Sequence, residues 1–138
     1  PITRPRERFQ IPSATWYAAA TFLVVALADQ TAAQVAVLVL GFGDPAAALA
    51  GRRFGRVKLF RRKSVVGTAT FFVVSFAVVA LFLAACKPFG FGAVLGIAGL
   101  AAASGAAAEL ASDERIDDNF TIPIAVAMVL SIVLPLVV

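Results

Sequence analysis

VVGTATFFVVSFAVVALFLAAC, residues 65–86, is an apolar run without a single charged side chain. An α-helix rises ~1.5 Å per residue, so this run is long enough to cross the ~30 Å hydrocarbon core of a bilayer. Lys63 precedes the run and Lys87 follows it, so both of its ends carry a charge. The stretch therefore predicts a transmembrane helix.

The whole chain has the composition of an integral membrane protein. Of its 138 residues, 61% are hydrophobic and 14% are charged, and the mean hydropathy is +0.94. A soluble domain is only about half apolar, and the strict alternation of a β-barrel is missing here. The chain has no histidine and a single cysteine, Cys86. Any chemistry therefore has to use carboxylates, Lys, Arg, hydroxyl groups and the backbone.

Five apolar segments predict an all-α, polytopic membrane bundle of about five spanning helices. We expect residues 1–138 to form a single integral membrane domain. The fourth segment is rich in glycine, which predicts close helix packing and a candidate contact in a homo-oligomer. The segments are residues 13–28, 31–51, 65–86, 89–111 and 120–138, and the small residues of the fourth include Gly92, Gly96, Gly99, Ser104 and Gly105.

The second segment contains an aspartate followed by a proline, in GFGDPAAALAG at residues 41–51. Aspartate is a favoured helix N-cap, and proline is tolerated at the first helical position. We therefore expect a helix that is discontinuous near Gly41–Asp44 and restarts at Pro45. A carboxylate at this depth is costly unless it is paired, metal-bound or in a water-filled cavity, so Asp44 is a candidate functional residue. The alternative is an ordinary N-cap in the protein interior.

The charge distribution predicts which linkers share one face of the membrane. If the third and fourth segments each cross once, linkers 52–63 and 112–119 lie on the same side, together with the N-terminal residues. The opposite linkers contribute only Asp29 and Lys87. By the positive-inside tendency, the crowded face is predicted to be cytoplasmic. The first linker holds seven of the twelve cations: Arg52, Arg53, Arg56, Lys58, Arg61, Arg62 and Lys63.

Lys63 and Ser64 stand at the start of the third predicted helix. At a helix N-terminus, backbone N–H groups, the positive end of the helix dipole and an ammonium group can converge on a phosphate. Gly67 would allow a nucleotide or another backbone to come close. For the basic linker as a whole, the alternative explanation is topology and attraction to anionic lipid.

The last linker is strongly acidic. These acids could simply neutralise the basic linker through salt bridges. However, Mg²⁺ in nucleotide enzymes is usually held by one or two carboxylates together with the phosphates. Together with Asp44 and the cationic linker, residues 117–119 therefore supply the minimum set of groups for phosphoryl transfer. These are carboxylates to hold a metal ion and cations to neutralise the phosphates. The stretch reads ELASDERIDDNFTIP, residues 109–123, and its acids are Glu109, Asp113, Glu114, Asp117 and Asp118.

Three motifs in this order resemble the membrane polyprenol kinase family, which includes dolichol kinase, phytol kinase and the CTP-dependent diacylglycerol kinase. They are GDPAAALAGRRFGRVK at residues 43–58, KSVVGTATFF at residues 63–72, and a glutamate at position 109 followed by DDNFTIP at residues 117–123. By matching position, the motif residues are Gly43, Asp44, Ala47, Gly51, Lys63, Ser64, Gly67, Glu109, Asp118, Asn119 and Pro123.

The resemblance implies transfer of the terminal phosphate of CTP, or of another nucleoside triphosphate, to the hydroxyl of a lipid alcohol. The alcohol would be a polyprenol, a phytol-like prenol or diacylglycerol in the bilayer, and the cofactor would be Mg²⁺. Family members carry further helices upstream, so we expect this chain, which begins at Pro1 without a methionine, to be the C-terminal catalytic part of a longer protein. No nucleic-acid partner is expected.

Roles follow for individual residues from the resemblance and from their charges. We expect Asp44 and Asp118 to hold Mg²⁺, and Asp117, Glu109 or Asp44 to accept the proton of the hydroxyl. Asn119 would orient a metal ligand or donate to a phosphate oxygen. The predicted nucleotide- and phosphate-binding residues are Gly43, Gly51, Arg52, Arg53, Lys63, Ser64, Gly67 and Asn119.

Two other function classes remain open at this level. A cytidylyltransferase would form a CDP-lipid, although the related CDP-diacylglycerol synthases usually carry a Pro-Gly-His-Gly-Gly signature that a chain without histidine lacks. A transporter component would use Asp44 and the interrupted helix as an ion or substrate site without a nucleotide.

Overall fold

The computed structural model describes residues 12–60, 63–112 and 117–137. Within these ranges the predicted all-α polytopic bundle is confirmed. The helices are α1 Ser13–Leu27, α2 Gln30–Leu38, a π-helical turn Val39–Gly43, α3 Asp44–Phe54, α4 Val65–Cys86, α5 Phe91–Ala111 and α6 Asp118–Val137, and a small hairpin joins β1 Lys58–Phe60 to β2 Lys63–Ser64.

Four helices of the described chain are long and apolar enough to cross a membrane. They are the continuous helix Gln30–Phe54, formed by α2, the π-turn and α3, and the helices α4, α5 and α6. By contrast, α1 has 15 residues, which reach only ~22 Å at ~1.5 Å per residue. The expected fifth spanning helix is therefore present but shorter than the hydrocarbon core.

The surface of the bundle is apolar, as a bilayer-facing surface has to be. Phe22, Leu81 and Ile132 belong to three different helices and are each about 70% exposed. The interior is built from tightly packed side chains such as Phe71 and Leu130, together with many alanines of α5. Without water between the helices, small residues and close packing hold such a bundle together.

The interruption of the second segment is a π-helical turn and not a break. Val39–Gly43 forms the π-turn, and Gly43 and Asp44 both keep right-handed helical backbone angles. Pro45 has no N–H to donate to the carbonyl of Gly41, and its ring would crowd that carbonyl in a regular α-helix. A wider turn relieves this conflict, so the chain stays helical across the position where we expected it to break and restart.

Asp44 does not cap a helix, contrary to our expectation. Its backbone angles are φ −65° and ψ −48°, and no side chain caps the start of α3. The residues before Asp44 remain helical, so the first N–H groups of α3 are not the orphan donors that an N-cap would satisfy. The Asp44 carboxylate is therefore available for other contacts.

The continuous helix Gln30–Phe54, called the long helix below, contacts different helices along its length. Helix α5 packs between α4 and α6, and these three form one layer. Across this layer, α2 packs mainly against α6, the π-turn contacts both α6 and, more extensively, α4, and α3 packs mainly against α4. Helix α1 packs on α6, where the rings of Trp16 and Phe120 meet edge to face at 5.3 Å. The long helix thus diverges from α6 after the π-turn.

Only part of the predicted glycine packing in α5 is found. A Cβ added at Gly105 would meet Val39 and Phe71 within 3.0 Å, so this glycine does allow close approach of neighbouring helices. At Gly92, Gly96 and Gly99 an added Cβ would meet nothing within 4 Å. Sequence spacing could not separate these glycines, because which of them faces a neighbour depends on how the helices pair. The homo-oligomer stays a prediction.

The hairpin in the basic linker was not predicted. Lys58 pairs with Ser64 and Phe60 with Lys63 in an antiparallel ladder, and the N–H of Val65 donates to the carbonyl of Val57. Residues 57–59 are all exposed, but side chains alternate along a strand, and Lys58 is on the side that lines a cavity at the end of the bundle.

The linkers expected to share one face do meet at one end of the bundle. Ser13 Oγ donates to Asp117 Oδ2 at 2.7 Å, and Lys63 reaches Asp118 Oδ2 at 2.9 Å. The turns that carry Asp29 and Lys87 end the helices on the other side. Arg61, Arg62, Asp113 and Glu114 lie outside the described residues.

Candidate functional site

A polar cavity of about 480 Å³ lies at the end of the bundle where these linkers meet. Its walls come from α3, the hairpin, α4, α5 and α6, so residues that are far apart in sequence face one space. Three carboxylates and three cations are among them. The lining residues are Asp44, Ala47, Ala48, Gly51, Arg52, Gly55, Lys58, Lys63, Ser64, Gly67, Glu109 and Asp118.

Lys63 joins two carboxylates from different helices. Its Nζ lies 3.0 Å from Glu109 Oε1 and 2.9 Å from Asp118 Oδ2. Burial alone would lower the pKa of Lys63, but hydrogen bonds and attraction from Asp118 and Glu109 outweigh it, so its pKa is raised above the usual value. The ammonium group is therefore fully charged at neutral pH, and it ties the end of α5 to the start of α6.

Ser64 explains why α4 begins where it does. Its side-chain oxygen accepts a hydrogen bond from the backbone N–H of Gly67 at 3.0 Å, which is the geometry of a serine N-cap. Both residues line the cavity, so the N-terminus of α4 and its positive dipole end are directed at this space. This is an environment that favours an anion.

Three glycines bring α3 against this N-terminus. A Cβ at Gly51 would lie 3.1 Å from Ser64 Oγ and 3.7 Å from Gly67 Cα. A Cβ at Gly67 would lie 3.2 Å from the carbonyl oxygen of Ala47, and one at Gly55 would overlap Ser64. The backbones of α3 and α4 therefore touch through glycine, and the cavity is lined by backbone where side chains would otherwise fill it.

Glu109 is the most deeply buried of the acids that line the cavity. Its side chain is 4% exposed, Oε1 pairs with Lys63, and Oε2 accepts from the hydroxyl of Thr68 at 3.4 Å. Both oxygens thus have partners. This leaves Glu109 well placed to hold Lys63 and poorly placed to receive a proton from a substrate.

Asp44 enters the cavity from α3, opposite Asp118 of α6. The ion pairs and hydrogen bonds within the described part of the chain engage Glu109 and Asp118 but not Asp44. No group of three or more metal-ligating side chains is assembled among the described residues. Two carboxylates beside a helix N-terminus that favours an anion nevertheless fit the way Mg²⁺ is held in nucleotide enzymes, where the phosphates supply the remaining ligands.

Four of the predicted site residues do not line the cavity. Gly43 lies below it, packed on Phe71 and Ser75. The guanidinium of Arg53 lies 5.6 Å from the centre of the Phe54 ring, so the side chain turns away. The other two, Asp117 and Asn119, interact with each other at the start of α6.

Asp117 is engaged in holding helices together. Oδ2 accepts from Ser13, and Oδ1 accepts from the backbone N–H of Asn119 at 2.9 Å and from its side-chain amide at 2.6 Å. Partial burial would raise the pKa of Asp117, but these hydrogen bonds outweigh that effect and hold its pKa below the usual value. The carboxylate therefore stays ionised and connects α1 to α6.

Four lining or supporting residues escaped the sequence reasoning as individual site residues: Ala48, Gly55, Lys58 and Thr68. For Lys58 a signal existed, since the alternation VKL places it on one side of a strand and its apolar neighbours on the other. For Thr68 the only signal was its position one turn into α4, four residues after Ser64, on the face that carries the N-cap.

Comparison with known proteins gives one relevant similarity. The chain is 41% identical over 101 residues to "Phytol kinase" of Synechocystis sp., in a match that covers 70% of this chain. The match covers 42% of that relative, so the chain spans less than half of its length. No protein-family model and no solved structure matches the chain. The resemblance to polyprenol kinases is thus supported by a partial match to a phytol kinase.

Proposed function

We propose that the protein transfers the terminal phosphate of a nucleoside triphosphate, with CTP as the expected donor, to the hydroxyl of a lipid alcohol. A phytol-like prenol is the first substrate to test, because the similar protein is named a phytol kinase. The observation that carries the proposal is the Lys63 ammonium beside the glycine-lined N-terminus of α4, inside a cavity that also holds Asp44, Glu109 and Asp118.

The cavity has the charges that a triphosphate needs. Arg52, Lys58 and Lys63 bring positive charge from the end of α3 and from the hairpin, and Ser64 marks the helix N-terminus between them. Phosphoryl transfer depends mainly on positioning and on neutralising the phosphate charge. We infer that the phosphates lie against Gly51, the N-terminus of α4 and these cations.

In the proposed transfer, the lipid oxygen attacks the terminal phosphorus, the bond to the bridging oxygen breaks, and the nucleoside diphosphate leaves. The proton of the hydroxyl passes to a carboxylate. Glu109 and Asp117 have hydrogen-bond partners on both oxygens, so Asp44 is the proposed acceptor. The sequence left Asp117, Glu109 and Asp44 open as acceptors of the hydroxyl proton. The proposal retains Asp44 alone.

Mg²⁺ is the proposed cofactor, with Asp118 as a protein ligand and the phosphates as the others. Asp118 accepts hydrogen bonds from Lys63 on Oδ2 and from the N–H of Asn119 on Oδ1, and a carboxylate that binds a metal commonly keeps such hydrogen bonds. Asp44 was predicted as a second ligand, and the Mg²⁺ dependence of Asp44→Asn tests that role. Loss of a metal ligand raises the Mg²⁺ concentration needed for half-maximal rate, whereas loss of the proton acceptor lowers the rate at every Mg²⁺ concentration. When bound, the ion neutralises charge on the transferring phosphate.

The lipid alcohol would reach this cavity from the bilayer along α3. The long helix diverges from α6 toward the cavity, and Ala48 is both exposed and part of the cavity lining. Its neighbour Leu49 is 62% exposed and continues the apolar surface of the helix. We propose that the hydroxyl enters between α3 and α6 at the cytoplasmic face, while the nucleotide comes from water.

The test is an assay of the full-length protein in liposomes with CTP, ATP, GTP and UTP against phytol, longer prenols and diacylglycerol. Label in the terminal phosphate of the nucleotide should appear in the lipid, and label in the α-phosphate should not. Transfer of the α-label would mean a CDP-lipid and a cytidylyltransferase. No transfer of either label to any alcohol would overturn the proposal.

Asp44→Asn should lower the rate of transfer at least 100-fold, and Asp29→Asn serves as its matched control. Asp29 caps α2 at the other end of the bundle, where its side chain accepts from the N–H of Thr31, and asparagine caps equally well. Thermal unfolding in detergent separates a nucleotide enzyme from a transporter component. CTP with Mg²⁺ should raise the melting temperature, because a ligand that binds only the folded state stabilises it.

A further inference from the structure

The ring of Phe71 lies between two glycines of two different helices. Phe71 is on α4, one turn further into the membrane than Gly67, and it is 0% exposed. A Cβ added at Gly43 would lie 3.0 Å from Cε2 and 3.2 Å from Cδ2 of the ring. A Cβ added at Gly105 would lie 2.9 Å from Cε1 and 3.2 Å from Cζ. Two different edges of one ring therefore lie against the backbones of the long helix and of α5.

Each of these glycines lies next to a cavity carboxylate. Gly43 ends the π-turn and is followed directly by Asp44. Gly105 is four residues before Glu109 on α5, which is about one helical turn. The helix of Phe71 itself carries Thr68, whose hydroxyl donates to Glu109. One ring thus contacts two of the three helices whose acids line the cavity, those of Asp44 and Glu109, just below the level of these two acids.

The contact has little freedom to adjust. Closely packed interiors transmit the shape of a side chain to their neighbours, and the glycines leave no side chain that could move aside. The hydroxyl of Ser75 touches the same glycine of the π-turn, and it is fully buried without a hydrogen-bond partner among the described residues. π-Turns occur frequently at functional sites, where they rotate the residues that follow them.

We propose that Phe71 is a positioning residue that sets Asp44 at the correct depth and distance relative to Glu109 and Lys63. The ring is the common spacer between the π-turn and α5, and it contacts neither the nucleotide site nor the lipid surface. This inference rests on the proposed function for its effect on rate. Its geometric part, the spacing of the long helix and α5, holds independently of that function.

The first test compares Phe71→Leu with Phe72→Leu. Phe72 is the next residue on α4, is 39% exposed and is stacked on Phe76, so the same substitution there changes the lipid-facing side. Rates are divided by the number of CTP-binding sites, which removes any unfolded fraction. Phe71→Leu should lower this rate about 10- to 100-fold, since small misplacement of a reacting group is costly.

Nucleotide affinity and the pH profile distinguish positioning from general damage. The CTP dissociation constant of Phe71→Leu should stay within twofold of the wild type, because Lys63 and the glycines around Ser64 are unchanged. The acid limb of its pH–rate profile should shift, because the surroundings of the proposed proton acceptor change. A rate within twofold of that of Phe72→Leu, or an unshifted profile, would overturn the proposal.

A distance measurement tests the geometry without any assay of activity. Spin labels at Leu49 of α3 and Leu100 of α5, both exposed, are introduced with Cys86→Ser so that no other thiol reacts. Phe71→Leu should shift or broaden the distance distribution, and Phe72→Leu should not. Identical distributions would overturn the spacer role. If the wild type transfers no phosphate, the proposed function fails, while these distances still decide the spacing.

Discussion

Lys63 on β2 and Glu109 on α5 form an ion pair of 3.0 Å, although 46 positions separate them in the chain. The glutamate side chain is 4% exposed, and the lysine side chain is 27% exposed. A carboxylate this deep needs a counter-charge, because an unpaired charge in a protein interior costs several kcal/mol. The pair therefore serves the fold as well as any chemistry in the cavity.

Lys63→Ala is expected to destabilise the protein by about 3 kcal/mol, because it leaves Glu109 charged and without its ammonium partner. The double variant Lys63→Ala/Glu109→Gln should recover most of this loss, since a neutral amide is cheaper to bury. It should still fail to bind CTP. Chemical unfolding in detergent and CTP titration measure the two effects. A double variant as unstable as the single one would contradict the prediction.

Gly67→Ala and Gly96→Ala should have opposite effects on stability. At Gly67 the new methyl group would lie 3.1 Å from Ser64 Oγ and 3.2 Å from the Ala47 carbonyl oxygen, so α3 and α4 have to move apart. Such overpacking costs about 1–3 kcal/mol. At Gly96 nothing lies within 4 Å, and alanine should stabilise α5 by up to about 1 kcal/mol. Melting temperatures in one detergent compare the two, and equal shifts would contradict the close approach.

Arg52→Ala and Arg53→Ala form a matched pair at adjacent positions. Arg52 lines the cavity, whereas Arg53 lies over the Phe54 ring. A hydrogen bond between charged groups is worth about 1.5–3 kcal/mol, so Arg52→Ala should raise the KM for the nucleotide roughly 10-fold or more. Arg53→Ala should change it less than about twofold. A larger increase in KM for Arg53→Ala than for Arg52→Ala would mean that the phosphates do not bind beside Arg52.

The Asp117 carboxylate should make the stability of the protein depend on pH. Its pKa is lower in the folded protein than the ~3.9 of an unfolded chain, so it stabilises the fold above about pH 4. This contribution is lost as the pH falls through the folded-state pKa. At pH 6, Asp117→Asn should therefore melt below the wild type.

The difference between the wild type and Asp117→Asn should shrink as the pH falls below about 4 and vanish once the pH is below the lowered folded-state pKa of Asp117, because the protonated carboxyl group is then as uncharged as the asparagine. Ser13→Ala, which removes one donor to the same carboxylate, should show a smaller difference of the same sign. Melting curves between pH 3 and pH 6 measure all three proteins. A difference that does not change over this range would mean that Asp117 does not hold α1 to α6 through its charge.

The length, hydropathy and charge of individual segments were sufficient to predict the helical architecture. The run at 65–86 is helix α4 with the same boundaries, because length and hydropathy alone decide whether a segment can span a bilayer. Parity of the crossings and the charges of the linkers predicted that basic and acidic residues share one face. The ion pairs of Lys63 with Glu109 and Asp118 lie at that shared end.

Residues that are adjacent in the sequence have different surroundings in the structure, and the packing of the helices decides which of them lines the cavity. Asp118 lines the cavity and Asp117 binds α1, and Arg52 lines it while Arg53 turns away. One residue along a helix corresponds to about 100° of rotation, so the phase of each helix decides which side chain enters the site. That phase is set by contacts between helices, such as those of Phe71, and a sequence pattern does not contain it.

The amino-acid sequence by itself determined that this chain forms membrane helices, where their charged ends lie and which residue types are available for chemistry. These follow from the transfer of each segment between water and lipid, which depends on that segment alone. Only the tertiary structure decided that the chain stays helical through Pro45, that Gly105 and not Gly96 packs closely, and which carboxylates share the cavity. These depend on contacts between helices that are distant in sequence, and such contacts exist only in the folded bundle.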